Sequence, residues 1–111
     1  SHQKNQSCIE ACVTCAQACE HCADACLGEE HAAKMAQCIR LDRDCAQVCW
    51  MAAGFMSRDS EFIGGVCELC SEICTACADE CSKHEHDHCK QCAEACRRCA
   101  EECRKMAGAA A

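Results

Sequence analysis

Cys8, Cys12, Cys15, Cys19, Cys22 and Cys26 follow one another at steps of 4, 3, 4, 3 and 4 residues. That alternation is the a/d spacing of a heptad repeat, and residues three and four apart share one face of a helix. Six sulfurs therefore form one stripe, roughly 27 Å long at about 1.5 Å per residue, where a helical bundle normally places leucine. The same cassette returns twice more, at Cys67, Cys70, Cys74, Cys77 and Cys81 and at Cys89, Cys92, Cys96, Cys99 and Cys103. A diluted copy holds Met35, Cys38, Asp42, Cys45, Cys49, Ala52 and Met56.

Thiolate is a soft ligand and selects Cu(I), Zn(II) or iron–sulfur clusters. Structural zinc sites are discrete tetrahedra, and iron–sulfur clusters gather four cysteines around one centre. A long straight stripe offers instead repeated C-x-x-x-C pairs, each able to grip one two-coordinate ion from adjacent turns. Eight such pairs are present: Cys8/Cys12, Cys15/Cys19, Cys22/Cys26, Cys45/Cys49, Cys70/Cys74, Cys77/Cys81, Cys92/Cys96 and Cys99/Cys103. The interleaved C-x-x-C steps let one sulfur bridge two ions, so the pattern suits many Cu(I) ions packed along a tube. Nineteen buried thiolates without cations would be prohibitive. The empty cysteines should stay protonated, and loading should exchange protons for metal.

The elements that carry these stripes follow from composition. The chain has 111 residues, 19 of them cysteine, no proline, and a formal charge of −7. Leu, Ile, Val and Phe together number twelve, too few for an ordinary core. Reduced cysteine behaves as a small buried hydrophobe, so the core must be built of thiols. Absence of proline favours uninterrupted helices. The expected fold is all-α: an antiparallel four-helix bundle with a cysteine-lined core, one domain over residues 1–111. Its helices are expected at about 7–27, 31–56, 60–82 and 87–106. Ser7 and Glu10 fit a capping box at the first start, and Gly28 fits its stop. Ser57, Asp59 and Ser60 are candidate caps for the third helix. Gly64 and Gly65 cost helix stability there, so either a neighbouring chain approaches closely or the helix starts later. The segments 1–6 and 107–111 are expected to fray.

Short connections favour antiparallel neighbours, which gathers His31, Met35, His84, His86 and His88 at one mouth. Phe55, Met56, Phe62, Ile63 and Met106 then plug the other end. Several residues also have plainer readings. His84, His86 and His88 suit a solvated turn beside Glu85 and Asp87, and His21 lies off the stripe and should face solvent. Met35 and Met106 suit core plugs. Asp42 is a hard donor and a poor Cu(I) ligand; it should bond a neighbouring side chain or turn outward while Leu41 moves inward. Ile39, Val48, Trp50, Val66, Leu69 and Ile73 lie off the stripes and suggest a subunit interface.

Other functions are disfavoured. There is no basic cluster and few aromatic rings, so nucleic-acid binding has no footing. No run approaches a membrane span, and no secretory signal is visible. No cysteine has the adjacent partners of a catalytic nucleophile, so the reading is not an enzyme. An odd number of cysteines at helical spacing argues against a disulfide scaffold and for a reducing cytoplasm. Two rivals stand beside copper: Zn(II) or Cd(II) sequestration of metallothionein type, and a thiol redox buffer.

The cysteine-lined helices, with pairs such as Cys15/Cys19 and Cys70/Cys74, resemble the bacterial copper storage proteins over nearly the whole chain. The high cysteine count and the lack of a visible leader are similar to the cytosolic branch of that family. The resemblance implies a four-helix bundle filled with multiple Cu(I) ions, a homotetramer, and a copper chaperone or efflux system as partner. It carries all nineteen cysteines over as ligands, with His31, Met35, His84, His86 and His88 as candidate donors at the open end.

Overall fold

The computed structural model describes residues 2–110. Four α-helices span α1 (His2–Leu27), α2 (Ala36–Ser57), α3 (Ile63–Cys81) and α4 (Asp87–Ala110), with a short 3-10 turn at Ala32–Met35 ahead of α2. Packing runs round a ring, α1 on α2, α2 on α3, α3 on α4 and α4 on α1. The bundle measures 45 × 18 × 17 Å. The antiparallel course follows from the short turns, and the helix 1–2 and 3–4 connections meet at one end as the lengths require.

Between the cysteines the helices carry Ala, Glu, Gln and Lys, all good helix formers. Each stripe faces inward, and the core is almost wholly cysteine and alanine, with Met35, Val48, Met56 and Ile63 among its few larger apolar members. Small side chains make this core a slender one. Asp87 lies in the first turn of α4, where a negative charge complements the helix dipole.

The observed bounds correct several expectations. α1 begins at least five residues before Ser7, so Ser7 does not cap it; the Ser7 hydroxyl donates instead to Glu102 at 3.1 Å. Burial explains the longer helix. Asn5 is 2% exposed, and its Nδ2 donates to the Met56 carbonyl at 3.0 Å. That bond pins the first turn of α1 to the end of α2. At the other terminus α4 continues to Ala110 rather than fraying after Met106. The fraying expected of Ser1 and Ala111 lies outside the described residues.

α1 does stop before Gly28, but among the described residues no glycine has a positive φ, so the stop is not a left-handed cap. A tightening turn makes it: Gly28 N–H donates to Ala25 O at 3.1 Å and Glu29 N–H to Cys26 O at 3.2 Å. None of Ser57, Asp59 and Ser60 caps α3, which starts after Phe62 without a side-chain cap. Ser60 Oγ accepts from the Phe62 amide at 3.0 Å, Ser57 bonds back to Ala53 O, and Asp59 makes the turn in the left-handed region at φ 55°. A Cβ added at Gly65 would meet nothing within 4 Å, so no close approach within this chain explains that glycine.

Candidate metal centre

All nineteen cysteines are free thiols, and each is at most 2% exposed. The i, i+4 pairs lie close along each wall: Cys15 and Cys19 at 4.0 Å, Cys22 and Cys26 at 3.9 Å, Cys70 and Cys74 at 3.8 Å. Some contacts across the tube are shorter. Cys15 meets Cys96 at 3.5 Å and Cys45 meets Cys74 at 3.5 Å. Sulfurs also cross the diagonal between α2 and α4, whose backbones do not pack together: Cys45 lies 3.8 Å from Cys96, and Cys49 lies 3.8 Å from Cys99.

These contacts form two runs. One passes from Cys8 through Cys103, Cys12, Cys99, Cys49, Cys74, Cys45, Cys15 and Cys19 to Cys92. The other links Cys89, Cys22, Cys26, Cys38, Cys81 and Cys77. Several sets of four sulfurs lie within 4.8 Å of one another, among them Cys12/Cys70/Cys99/Cys103, Cys15/Cys49/Cys74/Cys99, Cys15/Cys19/Cys45/Cys96 and Cys22/Cys26/Cys38/Cys89. Cys15 and Cys99 each belong to two of these cages, so the cages share sulfurs instead of standing as separate sites.

Asp42 sits where the two runs meet, and here the expectation that it could turn outward fails. It is fully buried, while Leu41 is only half-buried. Its Oδ1 accepts S–H bonds from Cys77 and Cys92 at 3.2 Å and from Cys81 at 3.5 Å, and Oδ2 faces Cys38 at 3.7 Å. Cys38, Cys45 and Cys49 face inward, and the helical phase they impose carries Asp42 in with them. Burial, with negative charge at Cys92 second, pushes its carboxyl up to about 8.

The thiols cannot all ionise together in this tube. Burial foremost pushes Cys26 up to about 12 and raises Cys89 as well. Deeper in, hydrogen bonds from Cys15 foremost draw Cys45 down, while bonding to Cys12 foremost drives Cys49 up. One sulfur of a cluster can carry charge only while its neighbours hold their protons. Cations must therefore replace protons for the array to become fully thiolate.

One mouth gathers the predicted non-cysteine donors. A cavity of about 360 Å³ there is lined by Glu29, Glu30, His31, Lys34, Met35, His84 and His86. Met35 is buried and His31 exposed. His84 Nε2 lies 2.9 Å from Glu80. His88 goes deeper: its Nδ1 is 3.3 Å from Cys22 Sγ and 3.6 Å from Cys89 Sγ, and its Nε2 is 2.6 Å from Glu29 Oε2. His86 stacks on it, with ring centroids 5.3 Å apart and planes 4° from parallel. His21 is exposed, as its place off the stripe requires. Spacing offered no signal for Glu29, which sits in a loop.

The far end is closed, but by fewer residues than expected. Met56 and Ile63 are buried. Phe62 is 63% exposed and plugs nothing, and Phe55 and Met106 are half-buried, Phe55 under the Arg58 guanidinium at 4.7 Å. Of the off-stripe apolar residues, Val48 is buried, Trp50 and Leu69 are exposed, and Ile39, Val66 and Ile73 are half-buried. A shallow groove of about 250 Å³ between α2 and α3 is lined by Val48, Met51, Leu69 and Ile73 with Asp44 and Gln47. No helix among the described residues is long and apolar enough to cross a membrane.

Comparison with known proteins gives a consistent result. A family model described as copper storage protein matches residues 1–108. The Cu(I)-bound copper storage protein BsCsp3 superposes with a TM-score of 0.89 at 51% identity, covering 93% of this chain and 97% of that one; its apo form is from Bacillus subtilis. A cytosolic copper storage protein from Streptomyces lividans, holding five coppers, gives a TM-score of 0.92 at 43% identity over 96% of this chain and 94% of its own. Among curated proteins, a cysteine-rich protein of Bacillus subtilis (strain 168), YhjQ, is 51% identical over 70 residues; the match covers 63% of this chain and 65% of that relative's length.

Proposed function

The chain belongs to the copper storage protein family, and from that premise we propose that it is a high-capacity, non-catalytic cytosolic store for Cu(I). The observation that carries the reading is the sulfur array: nineteen buried free thiols, in contact from wall to wall and sharing cages along the bundle. Cu(I) accepts two or three thiolates and tolerates bridging sulfur, so such an array holds many ions per chain. The ligands are the nineteen cysteines. Copper arrives at the mouth lined by His31, Met35, His84 and His86, and His88 hands it to Cys22 and Cys89. The cytosolic setting is supported by the Streptomyces lividans relative, which is described as cytosolic. A copper chaperone or efflux system is the partner expected for such a store. A homotetramer is the assembly expected from the resemblance, with the apolar groove at Met51, Leu69 and Ile73 as its contact face.

An anaerobic titration of reduced protein with buffered Cu(I), followed by gel filtration and metal analysis, tests the reading. Well over about ten Cu(I) per chain, with most thiols consumed, is expected of two-coordinate or bridging ligation. The four-sulfur cages also have the shape for tetrahedral Zn(II). Binding that stops at about four to seven ions, as when each tetrahedral site needs several cysteines, would move the assignment to zinc sequestration.

A further inference from the structure

We infer that Glu29 is a positioning residue for copper uptake: it holds His88 with Nδ1 turned toward the first sulfurs of the tube. The inference rests on the storage reading above and deepens it. Glu29 belongs to the turn after α1, and its amide is tied to Cys26 O at 3.2 Å. The loop is thus anchored to the tube wall. Its Oε2 lies 2.6 Å from His88 Nε2 and 3.1 Å from His86 Nδ1. A carboxylate oxygen only accepts, so each facing ring nitrogen must donate. His88 then carries its proton on Nε2, and the Nδ1 lone pair faces Cys22 at 3.3 Å and Cys89 at 3.6 Å. The opposite tautomer would set a lone pair against the carboxylate. Partners of this kind orient metal-binding histidines and set which nitrogen is free. Hydrogen bonding from His88, foremost, holds the Glu29 carboxyl below its ordinary value, in keeping with this contact.

The contact is specific in a way that general attraction of cations to an acidic mouth is not. Glu30 lines the same cavity and has no histidine contact of this kind, so it supplies a matched control. Glu29 also places the rings of His86 and His88 in parallel through one oxygen, which keeps the deeper ring from swinging outward.

The test is stopped-flow uptake of limiting Cu(I), with Glu29→Ala, Glu29→Gln, Glu30→Ala and His88→Ala variants, alongside nitrogen NMR of the apo proteins. Glu29→Ala is expected to slow uptake about ten-fold, the low end for loss of such a partner because the site is partly exposed, with total capacity unchanged. Glu29→Gln keeps an acceptor oxygen and should recover most of the rate; Glu30→Ala should load as the wild type does. In the His88→Ala background the Glu29→Ala change should be silent, since coupled residues acting through one group are not additive. The apo spectrum should show the His88 proton on Nε2 in the wild type and a mixture of tautomers in Glu29→Ala. Uptake by Glu29→Ala at the wild-type rate, an equal defect in Glu29→Gln, or persistence of the defect without His88 overturns the assignment. Failure of the wild type to load many ions would overturn the storage reading instead. The apo spectrum decides the Glu29 contact in either case.

Discussion

Asp42→Asn should flatten the pH dependence of the empty protein's stability. Among the described residues Asp42 is the one carboxylate in the thiol core, fully buried, and its folded value of about 8 stands against 3.8 for an unperturbed side chain. Because the folded value is raised, the unfolded chain loses this proton first as pH rises. Stability from this group is whole below about pH 4 and gone above about pH 8. Each pH unit of separation corresponds to about 1.4 kcal/mol, so the full window amounts to about 6 kcal/mol, of which about 2–3 falls between pH 5 and pH 7. That is a large share of a total that is only about 5–15 kcal/mol for a typical domain. Asparagine keeps the shape and leaves an oxygen to accept from Cys77 and Cys92, but it does not titrate. Urea unfolding of both proteins, reduced and anaerobic, from pH 5 to pH 8 measures the effect. The wild type should lose stability steadily with rising pH and the variant should lose less by the amount above, ending the more stable of the two at pH 8. Titrating groups remote from Asp42 are common to both proteins and drop out of the difference. Parallel pH profiles would refute the assignment of a neutral, buried carboxyl.

Replacing both Cys15 and Cys19 by serine should lower Cu(I) capacity by about two ions while the bundle stays folded, because each soft ligand lost removes roughly one ion from a bridged array; metal analysis after gel filtration measures it, with circular dichroism for the fold. Uptake should acidify weakly buffered solution by about one proton per thiol engaged, since the buried thiols start protonated; an indicator dye read during titration reports the count. Asn5→Ala should lower stability by about 0.5–1.5 kcal/mol by removing one hydrogen bond from the Met56 carbonyl, which keeps the Asp59 amide as its donor, and should leave capacity untouched, which a melt and a titration together establish. Protein preloaded with Zn(II) should release all of it to Cu(I), as the preference of thiolates for softer ions requires; equilibrium dialysis with metal analysis detects any zinc retained.

The stripe of cysteines at 4, 3, 4, 3, 4 spacing was enough to give helices, their number, the inward face of each, and a core of thiols, because helical periodicity is local and every cassette repeats it. The mouth was legible too, since short turns leave antiparallel neighbours little choice. Asp42 stands on its stripe by counting, but its hard oxygen leaves open a bond to a neighbouring side chain or an outward turn; the phase imposed by Cys38, Cys45 and Cys49, together with four thiol donors from α2, α3 and α4, decides for the bond and holds it in the core. The first turn of α1 depends on a bond from Asn5 to a carbonyl 51 residues away, which no local pattern announces. Hydrophobicity alone places Phe62 in the plug, and the course of the turn leaves it in solvent. Sulfur contacts across the α2–α4 diagonal need the bundle's actual width. Glu29 sits in a loop with no periodicity to mark it. Its contact with His88 exists because the α1–α2 turn and the start of α4 meet at one end of the bundle, and only the tertiary structure brings those two segments together.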